Sequence, residues 1–271
     1  MSLRVVLVIL FIVSSARSRV MGEEASSLWF PVGEVLEYTV RWGVFSVGQG
    51  VVTSEWTEDE QGRRLIRIQF DTRSNRVIAM LYPVKDLQWV LIDPGTFLPV
   101  EVYKDSRQGR FKAHERITFD HARGLARHES FIEKNVREVP IDPETRDLVT
   151  YMYWTRSQPL APGDHLSSRV YADDGVHDLS IAVTAREDIE LDGLGKVVPS
   201  LKFEPEADFE GLFVRRDKML IWVSDDERRV CTRIATKVPV GSVVIELVAV
   251  SGPGDDGWVQ ESVRLEDAVP R

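Results

Sequence analysis

The side chains best suited to chemistry in this chain are carboxylates that stand next to one another near its carboxyl end. Asp225, Asp226 and Glu227 form the strongest acidic cluster, and adjacent carboxylates can hold Ca²⁺ or act as an acid–base pair. An Asp-Asp pair between two strands also accepts hydrogen bonds from its own backbone amides in a tight turn. Because adjacent side chains point apart, the turn is the favoured interpretation. A hydrolase that uses Glu187, Asp225 or Asp226 stays an alternative.

The other side chains that could bind a metal or attack a substrate lack the spacing that such chemistry needs. No His-x-His pair and no His-Glu-x-x-His motif occurs among the five histidines, which are His114, His121, His128, His165 and His177. Cys231, the only cysteine, lies in an apolar run and is expected to be a buried thiol. No Gly-x-Ser-x-Gly motif and no glycine-rich phosphate loop is present. The sequence therefore predicts no catalytic residue, no metal site and no cofactor.

The first residues have the composition of a secretory signal peptide. Arg4 supplies a positive charge, Val5 to Val13 form an unbroken apolar run, and Ser14-Ser15-Ala16 offers small residues for cleavage. The run is shorter than the about 20 apolar residues that cross a bilayer as a helix, so an uncleaved anchor is the less favoured alternative. We expect residues 1–22 to be a signal peptide and the protein to be periplasmic or secreted, in a bacterial cell envelope.

Composition narrows the classes of partner. The net charge is −9 and there is no Lys/Arg cluster, which argues against nucleic acid and against adsorption to anionic lipid by charge alone. With one cysteine the chain has no intrachain disulfide. We expect a single β-rich domain over residues 23–250 that does not span a membrane after cleavage, and a loosely ordered tail over residues 251–271.

Alternating apolar and polar residues predict strands along most of the chain. Val35 to Trp42 alternates cleanly, which indicates that one face meets a core and the other meets water. Val47 to Trp56 is the predicted return strand, with a bend at Gly48 and Gly50. Further strands are predicted over residues 64–72, 87–92, 98–103, 111–119, 124–131, 201–204, 212–223, 230–238 and 242–250, and Pro205 is expected to end one of them.

One segment has helical spacing instead. Asp142 as N-cap and Pro143 at the first helical position predict a helix over about Pro143 to Ser157. Its apolar face is expected to comprise Leu148, Tyr151 and Met152. A weaker helix is predicted over Asn75 to Tyr82. The predicted fold is therefore all-β, a mainly antiparallel and strongly curved sheet or open half-barrel with one or two short helices packed on it.

Several short motifs occur together in an order found in one bacterial family. They are Gly33-Glu34-Val35-Leu36-Glu37-Tyr38, Gly48-Gln49-Gly50, Pro162-Gly163-Asp164 and Ile221-Trp222-Val223-Ser224-Asp225-Asp226. On these motifs the chain resembles the bacterial domain-of-unknown-function family 3108. The resemblance implies an exported, mostly β protein with a half-barrel sheet, akin to the periplasmic carriers that shield lipoprotein acyl chains, and it brings no catalytic residue. Cys231-Thr232 stands where a Pro-Val pair is more usual in that family.

Aromatic residues are the best candidates for ligand contacts. Trp42, Tyr151 and Trp222 are predicted to line the concave face, although large rings also simply fill β-sheet cores. The first hypothesis is a noncatalytic envelope protein that binds a lipid, another amphipathic small molecule or a lipid-bearing protein in that face. The alternative from another class is a structural or assembly factor that docks onto a partner protein of the envelope.

Overall fold

Strands dominate the structure, a computed structural model that describes residues 28–172, 175–207, 219–238 and 241–254. The helices are α1 (Arg76–Ala79) and α2 (Leu148–Thr155). The strands are β1 (Val35–Trp42), β2 (Phe45–Glu58), β3 (Arg64–Ser74), β4 (Val84–Ile92), β5 (Pro99–Gln108), β6 (Phe111–Asp120), β7 (Leu125–Ser130), β8 (Asn135–Pro140), β9 (Arg146–Asp147), β10 (His165–Ala172), β11 (Gly175–Leu191), β12 (Lys196–Ala207), β13 (Met219–Ser224), β14 (Cys231–Lys237) and β15 (Ser242–Ser251).

All of these strands belong to one sheet in the order β8-β7-β6-β5-β4-β3-β2-β1-β15-β14-β13-β12-β11-β10-β9. The chain starts in the middle at β1, runs outward to the edge strand β8, reappears at the opposite edge as β9 and returns to pair β15 with β1. The pairs are antiparallel except for β9 with β10. The predicted antiparallel meander is confirmed.

The connection between the two edges shows that the sheet is strongly curled. Pro140 ends β8 and Arg146 starts β9, and six residue steps span at most about 20 Å. In a flat sheet of this size the two edges would lie about 65 Å apart, since neighbouring strands are spaced by 4.7–4.9 Å. The edges therefore face each other without a shared ladder, which leaves the sheet open rather than closed into a barrel. The predicted half-barrel class is confirmed.

The curled sheet encloses one large apolar core with a smaller one beside it. The large core draws side chains from both halves of the sheet, among them Ile66, Val90, Ile117, Tyr171 and Leu247. The smaller core lies where α2 meets the second half, and it includes Tyr151, Val170, Leu201, Phe203 and Val223. The helix α2 therefore packs against the sheet where the two cores adjoin.

The predicted long helix is corrected at its start and on its buried face. Asp142 and Thr145 close a turn, with the Thr145 amide donating to the Asp142 carbonyl at 3.0 Å. The N-cap is Asp147, whose carboxylate accepts from the amides of Val149 and Thr150. The intervening Arg146 pairs with β10 as part of β9, so it cannot be helical.

The helix buries more of its surface than predicted, and of the three predicted apolar residues Tyr151 is buried, Leu148 packs against the smaller core and only Met152 does not. Met152 is exposed, whereas Val149, Thr150, Tyr151, Tyr153 and Thr155 are buried, because α2 is covered on more than one side. The weaker helix is shorter than predicted, with Asn75 as its N-cap. Pro205 lies inside β12 rather than ending a strand, opposite Ile181.

Several predictions fall on residues outside the described ranges. These are the signal peptide (1–22), the tail beyond residue 254 and the first part of the strand predicted over residues 212–223. None of the helices formed by the described residues is long and apolar enough to cross a bilayer.

Candidate functional site

The three aromatic residues predicted to bind a ligand lie in three different surroundings. Trp42 ends β1 and is 47% exposed, whereas Tyr151 is buried in the smaller core and Trp222 is buried with the larger one. The Trp222 indole donates to the Glu187 carboxylate at 2.8 Å. The structure does not gather them around one cavity, and their assignment to a ligand stays a prediction.

The carboxylates proposed for a hydrolase make structural contacts. Asp226 Oδ1 accepts from the Ser224 hydroxyl and from the amides of Arg228 and Arg229, which confirms the turn interpretation. Asp225 pairs with Arg186. The hydrogen bond from Trp222 holds the pKa of Glu187 below its ordinary value. These carboxylates stabilise turns and strand ends rather than standing together as an acid–base pair.

The histidines and the cysteine do not form a reactive centre within the described residues. No group of three or more His, Cys, Asp or Glu side chains there is placed to hold a metal ion. The surroundings of the Cys231 thiol raise its pKa to about 12, because burial disfavours the thiolate. The thiol therefore stays protonated at physiological pH and is a poor nucleophile.

A buried ion pair fixes α2 to the start of the sheet. Arg156, the C-cap of α2, donates to both carboxylate oxygens of Glu34, at 2.5 and 3.1 Å, and Arg228 adds a longer contact at 3.3 Å. Glu34 and Arg156 are both buried. Tyr153 also donates to Glu34, and burial is the first cause that raises the pKa of Tyr153. Protein groups bind both carboxylate oxygens of Glu34, so we assign this network to anchoring α2.

Strands from the two ends of the sheet meet through side chains. We call the place where β7 and β8 meet β10 the seam. His128 Nδ1 lies 2.9 Å from the Tyr171 hydroxyl and 3.1 Å from the Arg137 guanidinium. Because a guanidinium can only donate, Nδ1 must be an acceptor and the ring proton must be on Nε2. Nε2 faces Glu115 at 3.7 Å.

Charges inside the seam compensate one another. Burial alone would raise the pKa of Glu115, but the nearby His128 ring and the charge of Lys104 outweigh it and keep the pKa below its ordinary value. The Phe119 and Tyr171 rings also touch across the seam, edge to face at 5.7 Å between centroids. Arg169 of β10 reaches Asp142 at 3.1 Å, and both are well exposed, so this pair contributes little. Side chains alone, and no backbone ladder, hold the seam together among the described residues.

A cleft of about 260 Å³ opens beside the seam. Its walls hold two cations, two carboxylates and one aromatic ring, and they consist of Asp142, Glu144, Arg146, Trp154, Ser167, Ser168 and Arg169. The Arg146 guanidinium lies over the Trp154 ring at 4.2 Å. Arg146 is only 8% exposed, yet its Nε atom has no hydrogen-bond partner. Sequence reasoning missed this residue, because a single arginine before a helix carries no signal of its own.

A second polar group is buried on the inner side of β4. Asp86 accepts from the Gln108 amide at 2.6 Å and from the Arg107 backbone amide at 3.0 Å. Burial raises its pKa to about 6 in spite of these hydrogen bonds. Asp86 therefore titrates well above the range of an exposed aspartate.

Comparison with known proteins agrees with this architecture. The family described as protein of unknown function (DUF3108) matches residues 37–248. Among solved structures, the chain is similar to the crystal structure of a beta-barrel-like protein of domain of unknown function DUF1849 from Brucella abortus, with a TM-score of 0.51 and 10% identity. The match covers 82% of this chain and 98% of that one, and at this identity it shows the fold alone. No curated protein is significantly similar to the chain. Since the family match covers most of its length, the chain belongs to the DUF3108 family of proteins of unknown function.

Proposed function

We propose that this protein is a noncatalytic protein of the bacterial cell envelope that binds an amphipathic ligand at the seam. The anionic head of the ligand contacts Arg146 and Arg169 in the cleft, and its apolar part enters between the two halves of the sheet. The proposed envelope location rests on the composition of residues 1–22.

One observation carries the proposal, namely the state of Arg146. A buried guanidinium is costly unless its donors are satisfied. Here Nη1 donates to the Glu144 carbonyl at 3.1 Å, whereas Nε has no protein partner. The side chain lines a cleft and faces an aromatic ring. A carboxylate or phosphate head group would accept from this guanidinium with favourable geometry.

The seam is held by side-chain contacts, and this supports entry of the apolar part of the ligand. Separation of β7 from β10 breaks side-chain contacts of Tyr171 but, among the described residues, no ladder of backbone hydrogen bonds, so it costs far less than separation of two paired strands. Phe119 and Tyr171 lie directly behind it and belong to the large apolar core. The cleft itself is smaller than the about 300–1,000 Å³ of most ligand pockets, so it fits a head group and leaves the tail to the core.

The test is a titration with cis-parinaric acid, a fluorescent anionic fatty acid. We expect saturable binding to the wild type and at least about ten-fold weaker binding to Arg146→Gln, because a charge-assisted hydrogen bond is lost. Arg127→Gln removes an exposed arginine paired with Glu129 and serves as the matched control. The methyl ester of the probe, which lacks the charge, should bind the wild type as weakly as the acid binds Arg146→Gln. Absence of saturable binding, or equal affinity for the acid and its ester, would reject the proposal.

A further inference from the structure

Exposed apolar side chains gather at one end of the sheet. In an antiparallel meander the β1–β2, β3–β4 and β5–β6 connections all turn at the same end. Of the twelve large apolar residues that are exposed in the described ranges, eight lie on these three connections. We call them the apolar rim, which consists of Trp42, Val44, Phe45, Val77, Met80, Leu81, Tyr82 and Phe111.

Contacts between the three connections make the rim one surface. The Asn75 side-chain amide donates to the Ser46 carbonyl at 2.5 Å, which ties α1 to the β1–β2 turn. The Gly109 amide donates to the Pro83 carbonyl at 2.8 Å. A Cβ on Gly109 would lie 2.6 Å from the Tyr82 ring, so the β3–β4 and β5–β6 connections are also in close contact.

The rim side chains project into solvent instead of lining a groove. Val44 and Leu81 are 88% and 84% exposed. Contiguous apolar patches of this kind on a soluble protein mark surfaces that bind a partner or a membrane.

The three connections that form the rim carry a net positive charge. Residues 42–46, 75–85 and 107–112 contain no acidic side chain. Six exposed basic residues surround the rim, which are Arg76, Lys85, Arg107, Arg110, Lys112 and, at the end of the neighbouring strand β14, Lys237. The turns at the opposite end, over residues 58–64, 93–98 and 120–124, hold five acidic and three basic residues. The three connections of the rim are therefore more basic than these three turns, although the whole chain carries a charge of −9.

We propose that the apolar rim docks on the surface of a bilayer that contains anionic lipids. Protruding apolar side chains enter the boundary between head groups and acyl chains, and the surrounding Lys and Arg contact the anionic head groups. Protruding apolar side chains with basic residues around them suit an anionic bilayer, because lipids adapt to the shape of the rim. A protein partner would need an acidic groove that matches this shape. The inference adds a partner to the proposed function and does not depend on ligand binding at the seam.

The first experiment measures flotation of the processed chain with vesicles of phosphatidylcholine, alone or with about 30% phosphatidylglycerol. We expect binding to the anionic vesicles only. Leu81→Ser and Phe45→Ser should each lower the partition coefficient about ten-fold or more, because a large apolar side chain no longer enters the interface. Val197→Ser is the matched control, since Val197 is 61% exposed but lies on the β11–β12 hairpin away from the rim.

A second set of variants tests the charge. Arg110→Glu and Lys112→Glu should each weaken binding about five-fold or more, whereas Arg123→Glu, on the β6–β7 turn at the opposite end, should not. Brominated acyl chains should quench the fluorescence of Trp42, so that the quenching is lost in Trp42→Phe.

Three results would overturn the inference. They are no binding of the wild type to anionic vesicles, equal losses in Val197→Ser and Leu81→Ser, and quenching that is unchanged in Trp42→Phe. Vesicle binding by a chain that takes up no cis-parinaric acid would support this inference and reject the proposed function, so the two fail separately.

Discussion

Tyr171 and His128 are joined by a 2.9 Å hydrogen bond between strands that are not neighbours in the sheet. Tyr171 lies on β10, next to one edge, and His128 lies on β7, next to the other. The bond therefore holds two ends of a sheet together where no ladder does so. Among the described residues, the two ends of the sheet meet at the seam through side chains and without a backbone ladder.

The first prediction concerns this bond. Tyr171→Phe should lower the free energy of unfolding by about 1 kcal/mol and increase amide hydrogen exchange in β7, β8 and β10, because the seam loses a buried hydrogen bond. Tyr103→Phe is the matched control, since its hydroxyl lies 3.1 Å from His114 Nε2 but joins the adjacent strands β5 and β6. Equal exchange at the seam in both variants would contradict the role given to Tyr171.

The second prediction concerns the Glu34–Arg156 pair. Arg156→Met should lower the free energy of unfolding by about 3–5 kcal/mol, since it leaves a buried carboxylate without its main partner. Glu55→Gln, which removes an exposed pair with Arg67, should cost less than about 1 kcal/mol. Urea unfolding measures both. If the double variant Glu34→Gln/Arg156→Met were no more stable than Arg156→Met, the unpaired charge of Glu34 would not be the cause of the lost stability.

The third prediction follows from the raised pKa of Asp86. The folded pKa of about 6 lies above the value of 3.8 for a free Asp, so the folded chain binds more protons than the unfolded chain between these pH values. The free energy of unfolding should therefore fall as pH rises from 4 to 6, by up to about 3 kcal/mol for this group.

Unfolding at pH 5 and at pH 7.5 checks this dependence. Asp86→Asn should remove that part of the slope and gain relative stability at pH 7.5, whereas Asp178→Asn, at an exposed site, should leave the slope unchanged. A wild-type slope retained in Asp86→Asn would assign the titration to another group.

The fourth prediction concerns Cys231. With a thiol pKa of about 12, its reaction with a disulfide reagent at pH 8 should be about a thousand-fold slower in the folded chain than for a free cysteine. The rate should rise to the ordinary value in urea. The absorbance of the released thiol measures this rate. Fast modification of the folded protein would show that the thiolate is accessible.

Local sequence predicted the strands because their burial pattern is local. The alternation from Val35 to Trp42 reproduces the buried and exposed faces of β1 up to its last residue. Trp42 departs from that pattern, with 47% of its surface exposed, because β1 ends there. The edge strand β8 was missed, since nearly all its side chains are exposed. The two-residue strand β9 was missed because its pairing with β10 depends on where the curl brings the chain.

The contacts described around the candidate site join residues that are far apart in sequence, and no local pattern predicts such contacts. Glu34 and Arg156 are 122 positions apart, and only the curl of the sheet brings them together. Net charge was equally uninformative, because a sum over the chain conceals a basic rim at one end and acidic turns at the other. The argument against adsorption to anionic lipid therefore holds for the whole chain but not for the apolar rim.

The central claim is that the chain carries an amphipathic ligand at the seam. Its most direct test is native mass spectrometry of the protein purified from its own cells, before and after organic extraction. We predict a mass excess equal to one acyl-bearing molecule per chain, lost on extraction and reduced in Arg146→Gln but not in Arg127→Gln. A bare chain that also takes up no fatty acid from solution would contradict the claim.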